Sequence, residues 1–256
     1  MFKLPKPRTK KDVLVVETCL LAGKIMIENG SEMSRVTDTI YRIAENAQAY
    51  QARAYVTLTG IMMSPSSKIG AQIAVIEKRT FNLEKVSLVN DYSRQFAEHK
   101  ITLQEFHSRL ALIEKNVKDF PFWLQTLSAA IISGTLEVVF RNNLPDLWAA
   151  CVVGMLGWIA YYMISKYIAV QFISEFLAAF VVAVASVIAI KLHLANSTDD
   201  LIIGGIMPLV PGVPITNAVR DALSGNLVSG PARGLEAFMI ACALGFGVAL
   251  ALTIFK

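Results

Sequence analysis

The sequence predicts an α-helical membrane protein of about five transmembrane helices, one of them broken by proline, carrying an N-terminal α+β domain. Three observations lead there. Hydrophobic residues make up 54% of the 256, and the mean hydropathy is +0.51, too apolar for an ordinary soluble domain. Charge is unevenly spread: residues 1–121 hold 18 of the 24 Lys and Arg and 13 of the 20 Asp and Glu, a net of +5, whereas residues 122–256 carry a net of −1. Finally, Pro208, Pro211 and Pro214 interrupt an apolar segment that otherwise reads as a span. Proline removes a backbone donor and clashes with the preceding turn, so a helix must break there. In hydrocarbon such a break survives only where protein or a watery cavity satisfies the freed backbone. Residues 1–120 are therefore expected to form a water-soluble domain and residues 121–256 a transmembrane transport domain.

In the front domain, residues 12–28 read as an amphipathic helix stopped near Asn29-Gly30. Ser31 can cap a second helix, with Met33, Val36, Ile40, Ile43 and Ala47 at helical spacing. The β-branched stretches 54–63 and 72–78 flank a turn-rich SPSSKIG and predict a two-stranded hairpin. Helices over 82–98 and 102–117 follow, the second marked by Thr102 as cap and Glu105 three residues on.

Asp119 and Pro121 can open the first span, and Trp123 suits a membrane interface. A bilayer core of about 30 Å needs about 20 helical residues. Candidate spans are 122–140, 147–164, 170–191, 201–215 and 234–255. Trp148, Trp158, Tyr161 and Tyr162 stand as aromatic anchors. Five spans put the termini on opposite sides. Lys166, Arg220 and Arg233 on one side nearly balance Arg141, Lys191 and Lys256 on the other, so Lys115 and Lys118 decide. The expected location is the cell membrane, multi-pass, with a cytoplasmic front domain and Lys256 outside.

Several function classes lose support. The basic residues are interleaved with acids and form no stripe, against a nucleic-acid platform. Cys19, Cys151 and Cys242 form no CxxC pair, and His99 and His107 read as surface residues without a third ligand, so neither a metal nor another cofactor is expected. The basic start MFKLPKPRTKK resembles a leader, but Glu17 and Lys24 interrupt the apolar run that follows. No GxSxG, HExxH or GxxxxGK[ST] occurs, and the adjacent Asp199-Asp200 reads as a solvated span flank, so no catalytic residue and no enzyme is expected.

Charges inside spans default to functional candidates. Glu137, near one end of the first span, either pairs with Arg141 one turn on or serves transport. Glu175 lies about five residues inside the third span, roughly 7 Å along a helix. It is either a proton-binding carboxyl or a solvated one at the span mouth. Beyond the prolines, Gly212 permits a turn, and Thr216 or Asn217 can cap a polar helix over Ala218–Leu227. That places Arg220 on a first turn, where the helix dipole disfavours a cation, so it needs Asp221, Glu175 or an anionic substrate as partner.

The run PLVPGVPITNAVRD, then GNLVSGPARGLEA, closely resembles the signature of the threonine/serine exporter family. ENGSEMSRVTDTIYRIA, AYVTLTGIMMS and NLEKVSLVNDYSRQFAEHKITLQEFHSRL resemble that family's cytoplasmic domain, so the likeness covers nearly the whole chain. The matching positions are Pro208, Pro211, Gly212, Asn217, Arg220, Asp221, Ser229, Gly230 and Arg233; Glu137 is not among them. Fused members carry two membrane halves, so this chain looks like the larger component of the split, YjjP-type arrangement. The resemblance implies threonine, serine or a dicarboxylate such as succinate as the solute, and the expected function is a secondary exporter driven by the proton gradient. It would work with a second, small membrane subunit, with self-association as the fallback. The alternative is a sensory or regulatory membrane protein whose front domain binds a ligand or partner.

Overall fold

The computed structural model describes residues 9–66, 69–78, 80–141, 144–168, 170 and 172–255, with Arg141 described by its backbone alone. The basic start (residues 1–8), Ser67, Lys256 and the Arg141 side chain thus lie outside the described residues. The chain divides into two compact units. The first runs to Asp119 and takes in Val213–Gly234, and the second comprises Phe120–Gly212 and the chain from Leu235.

In the first unit, α1 (Lys10–Glu28) opens on a reciprocal cap. The Asp12 N–H donates to Thr9 Oγ1 at 3.1 Å, and the Thr9 N–H returns to Asp12 Oδ2 at 3.0 Å. It closes at Asn29, where Gly30 takes φ +91°, a conformation glycine adopts without steric cost. α2 (Met33–Asn46) buries Met33, Val36, Ile40 and Ile43 as its spacing predicts. Its N-cap, however, is Glu32, which makes no side-chain cap bond, and the Ser31 hydroxyl turns to the Glu32 carbonyl.

The expected hairpin is a three-stranded antiparallel sheet, β1 (Arg53–Thr57), β2 (Gly60–Ser64) and β3 (Gln72–Val75), in that order. The stretch 54–63 folds back on itself at Leu58-Thr59, with Thr57 opposite Gly60. The Thr57 hydroxyl closes this turn by donating to the Gly60 carbonyl and accepting from its N–H. Ile61 and Met63 of β2 then face the core of α1 and α2.

Asn82 caps α3 (Leu83–Ala97) and Thr102 caps α4 (Leu103–Asn116), accepting from the Glu105 N–H at 3.2 Å. The Glu105 carboxylate pairs with Arg109 instead of returning to the cap. His107 is half-buried, its Nδ1 3.2 Å from the Thr18 hydroxyl, rather than solvated. Phe106, Leu110 and Ile113 of α4 complete the core with Val86, Val89 and Phe96 of α3. Asp119 accepts from Asn82 Nδ2 at 3.2 Å instead of capping the next helix.

The second unit is built from α5 (Phe122–Arg141), α6 (Leu147–Tyr167), α7 (Ile173–Lys191), α8 (Thr198–Ile206), the 3-10 turn Met207–Leu209, and α10 (Ser229–Phe255) from Leu235 onward. Four helices, α5, α6, α7 and α10, are long and apolar enough to cross a membrane. A fifth span exists if Thr198–Leu209 and α9 (Gly212–Leu223) are counted together. α8 starts before the expected span: Ser197 caps it, and Asp199 and Asp200 occupy its first turn, where the helix dipole favours acids. α10 likewise starts before residue 234, because Pro231 falls in its first turn and interrupts no helical bond.

Small residues let these helices approach closely. A side chain at Gly205 would lie 2.7 Å from Val153 of α6 and 2.8 Å from Val182 of α7. The fully buried Asp146, at the start of α6, accepts from the Asn196 N–H and Nδ2 and the Ser197 N–H at 2.8–3.0 Å, pinning the α7–α8 connection.

Candidate functional site

The prolines decide where the polar helix begins. Pro208 lies in the 3-10 turn, Pro211 is buried at the break, and the exposed Gly212 opens α9. Pro214 is the third residue of α9, in the turn whose N–H groups have no intrahelical partner. The helix expected over Ala218–Leu227 is therefore α9, Gly212–Leu223, and neither Thr216 nor Asn217 caps it. Arg220 falls in its last turn, which the helix dipole favours for a cation. The premise that Arg220 stands in a disfavoured place is overturned. α9 ends on Gly225 (φ +84°), with the Asn226 N–H bonded to the Asp221 carbonyl and the Gly225 N–H to that of Ala222.

Asn217, Arg220 and Asp221 are three and four residues apart, so they share a face of α9. Within the first unit that face, with Arg233 of α10, grips four consecutive residues of the α1–α2 turn. Asn217 Nδ2 donates to the Gly30 carbonyl at 3.0 Å, and Arg233 Nη2 donates to that of Ser31 at 3.1 Å. Arg220 pairs with Glu32, Nη1 to Oε2 2.8 Å, and Asp221 Oδ1 accepts from the Met33 N–H at 2.8 Å. Asp221, fully buried, thus caps α2 from another helix, which accounts for the absence of a cap bond from Glu32 or Ser31. Its second oxygen faces Arg233 Nη1 at 3.4 Å, a buried ion pair. Arg220 pairs here with Glu32 rather than with Asp221 or Glu175, and the Arg220 side chain is 55% exposed.

The α9–α10 corner continues the grip. Buried Ser229 accepts through Oγ from the Leu58 N–H, at the β1–β2 turn, at 3.2 Å. A Cβ on Gly230 would lie 2.8 Å from the Ala222 nitrogen and 3.0 Å from the Ala218 carbonyl, so only glycine lets the two helix backbones meet here. The meeting of residues 28–44 with 217–233 has no signal in either segment alone, since its acceptors are the backbone atoms of Gly30 and Ser31.

The carboxylates of the spans lie in the second unit. Glu175 sits in the first turn of α7 rather than five residues inside, because α7 begins at Ile173. It is half-buried, and its Oε2 has no hydrogen-bond partner among the described residues. Glu137, for which pairing with Arg141 and a transport role both stood open, is fully buried, its Cβ against Gly204 of α8, and neither carboxylate oxygen has a partner among the described residues. Among the described residues no group of three or more His, Cys, Asp or Glu could hold a metal ion.

Comparison with known proteins gives a consistent result. The family described as "Putative threonine/serine exporter" matches residues 17–255. Among curated proteins, the chain is 22% identical over 256 residues to the "Probable succinate transporter subunit YjjP" of Escherichia coli K12, covering 96% of this chain and 97% of that one. It is 18% identical over 245 residues to a "Probable threonine/serine exporter" of Mycobacterium tuberculosis, covering 93% of this chain and 46% of that protein. No solved structure matches. With the family match running over nearly the whole length and four helices apolar enough to span a bilayer, the chain is a multi-pass membrane protein that belongs to the threonine/serine exporter family.

Proposed function

We propose that this chain is a subunit of a secondary exporter that moves a small carboxylate-bearing metabolite out of the cell across the cell membrane. The observation that carries the reading is the match to an exporter family over residues 17–255. The substrate class follows from the names of its relatives, one a threonine/serine exporter and one a succinate transporter subunit. Those solutes share a carboxylate, and arginine recognises carboxylates with a two-pronged, charge-assisted geometry. Arg220 is the arginine of the signature that stays exposed, and we assign it that contact. Asn217, Asp221, Ser229, Gly230 and Arg233 support it by fixing the α1–α2 and β1–β2 turns. Glu175, Pro208, Pro211 and Gly212 are assigned to the solute and ion path, because broken apolar helices are how transporters build such sites.

The drive is the proton gradient, the domain of residues 1–120 is cytoplasmic, and a second, small membrane subunit completes the pathway. The word "subunit" in the name of the full-length relative supports the last point. The test is efflux of labelled threonine, serine or succinate from intact cells, with and without a co-expressed small partner. Export of one of them only with the partner is expected. Robust export by the purified chain alone in liposomes would remove the partner, and no export of any of the three in either condition would remove the substrate class.

A further inference from the structure

Glu137 is the one carboxylate among the described residues with both oxygens buried and unpartnered. It projects from α5 into the junction of α5, α6 and α8. A Cβ on Gly204 of α8 would lie 2.9 Å from the Glu137 Cβ, 3.0 Å from the Ser133 carbonyl and 3.4 Å from the Ala150 Cβ of α6. One turn back on the same face of α5, the fully buried Ser133 hydroxyl also lacks a partner. It occupies the space that a side chain at Gly154 of α6 would need. Two unpartnered polar groups therefore point into one helix junction, independently of each other.

Among the described residues, the charges that face this junction are acidic. Asp146 at the head of α6 and Asp200 in the first turn of α8 act on Glu137, and Cys151 of α6 lies beside Gly134 on the neighbouring face of α5. The 3-10 turn Met207–Leu209, also packed on α5, contributes no titratable group. An ionised carboxylate buried without donors, beside two more acids, is strongly disfavoured, and protonation removes that cost. No group of three or more His, Cys, Asp or Glu among the described residues gathers here to hold a metal ion.

We propose that Glu137 is a proton-binding site of the transport cycle: its carboxylate takes up one proton to become the neutral acid when the junction is closed, and releases it when water or solute enters. This rests on the exporter reading above and names a residue that the family signature leaves out. Glu175 fits the role less well, because it stands half-exposed in the first turn of α7 rather than enclosed in a helix junction.

The test separates proton binding from export. The full chain is reconstituted in nanodiscs of phosphatidylethanolamine and phosphatidylglycerol, and the protonated-carboxyl C=O stretch is followed by infrared difference spectroscopy across pH. The expected result is a band present at neutral pH that is missing from a Glu137→Gln protein and insensitive to sodium. A wild-type spectrum with no such band at neutral pH overturns the proposal, and so does a band that sodium abolishes, which would mark a cation site. Neither outcome touches the exporter reading. In cells, Glu137→Gln at normal membrane abundance should cut gradient-driven efflux at least about tenfold while solute counterflow persists, the signature of lost proton coupling. Unchanged gradient-driven efflux likewise overturns it.

Discussion

Replacing Asp221 with alanine removes three things at once, and the structure sets the size of the loss. The Met33 N–H, now bonded at 2.8 Å, is left buried without an acceptor, at about 1–3 kcal/mol. The N-terminus of α2 loses a negative charge, at about 0.3–1 kcal/mol. Arg233, 7% exposed, loses its ion-pair partner, and breaking a buried pair from one side costs about 3–5 kcal/mol. These contributions overlap, since one carboxylate makes all of them, so the expected destabilisation of the α2 N-terminus is about 3–5 kcal/mol rather than their sum. A 3 kcal/mol loss raises local opening roughly a hundredfold. Hydrogen exchange followed by mass spectrometry on the detergent-solubilised chain should therefore show peptides covering residues 30–40 exchanging about two orders of magnitude faster. Adding Arg233→Met should recover part of the loss, because it removes a buried charge that has lost Asp221. Unchanged exchange in Asp221→Ala, or a double variant that loses the sum of the two single effects, would show that Asp221 does not hold this turn.

Other substitutions probe neighbouring parts of the same reasoning. Arg220→Lys should leave the melting midpoint close to the wild-type value, because the Arg220 side chain is 55% exposed and lysine keeps the charge beside Glu32, yet lower efflux about tenfold through loss of the two-pronged contact. Full efflux at equal abundance would take Arg220 out of the pathway. Gly230→Ala forces a Cβ to within 2.8 Å of the Ala222 backbone, so the melting midpoint should fall by an amount corresponding to about 1–3 kcal/mol. A wild-type midpoint would mean that the α9–α10 corner yields freely. Asp146→Ala unpairs the Asn196 and Ser197 amides and should expose the α7–α8 connection to limited proteolysis, at a cost of about 1–3 kcal/mol per lost partner, whereas Asp146→Asn should retain much of the protection. An unaltered digestion pattern in the alanine variant would refute the pinning role.

What could be read along the chain was what depends on neighbours in sequence. The α2 stripe of Met33, Val36, Ile40 and Ile43, the Thr102 cap and the apolar stretches of α5, α6 and α10 are local patterns, and they appear where their spacing puts them. The errors came where distant residues decide. Ser31 has the side chain of a cap, but Asp221 reaches the same helix end with a full charge and displaces it. The stretch 54–63 carries strand-forming residues without a break, and its reversal at Leu58-Thr59 is held by Thr57 and by the bond from Leu58 to Ser229. Pro214 looked like a continuation of the break, although proline in a first turn interrupts no helical bond, and moving the helix start to Gly212 moved Arg220 from the first turn to the last. Glu137 lies near a span end, where pairing with Arg141 and a transport role both stood open, while its environment is set by Gly204, far along the chain.

The signature residues also show why polar groups can persist in an apolar stretch without lining a channel. Asp221 faces Arg233, Glu32 faces Arg220 and Arg35, and Asn217 and Arg233 each donate to a backbone carbonyl. An apolar α9 could pack on the α1–α2 turn with similar burial, but hydrophobic contact is non-directional and would leave its position along the turn weakly fixed. Bonds to Gly30, Ser31, Glu32 and Met33 in succession can all form in one alignment, and a shift of α9 by one residue would leave several buried groups unpaired. The cost of desolvating these charges is thereby offset by a uniquely defined position for α9. Arg220 stands at the edge of the fixed helix, its side chain 55% exposed while its neighbours Asn217, Asp221 and Arg233 are buried.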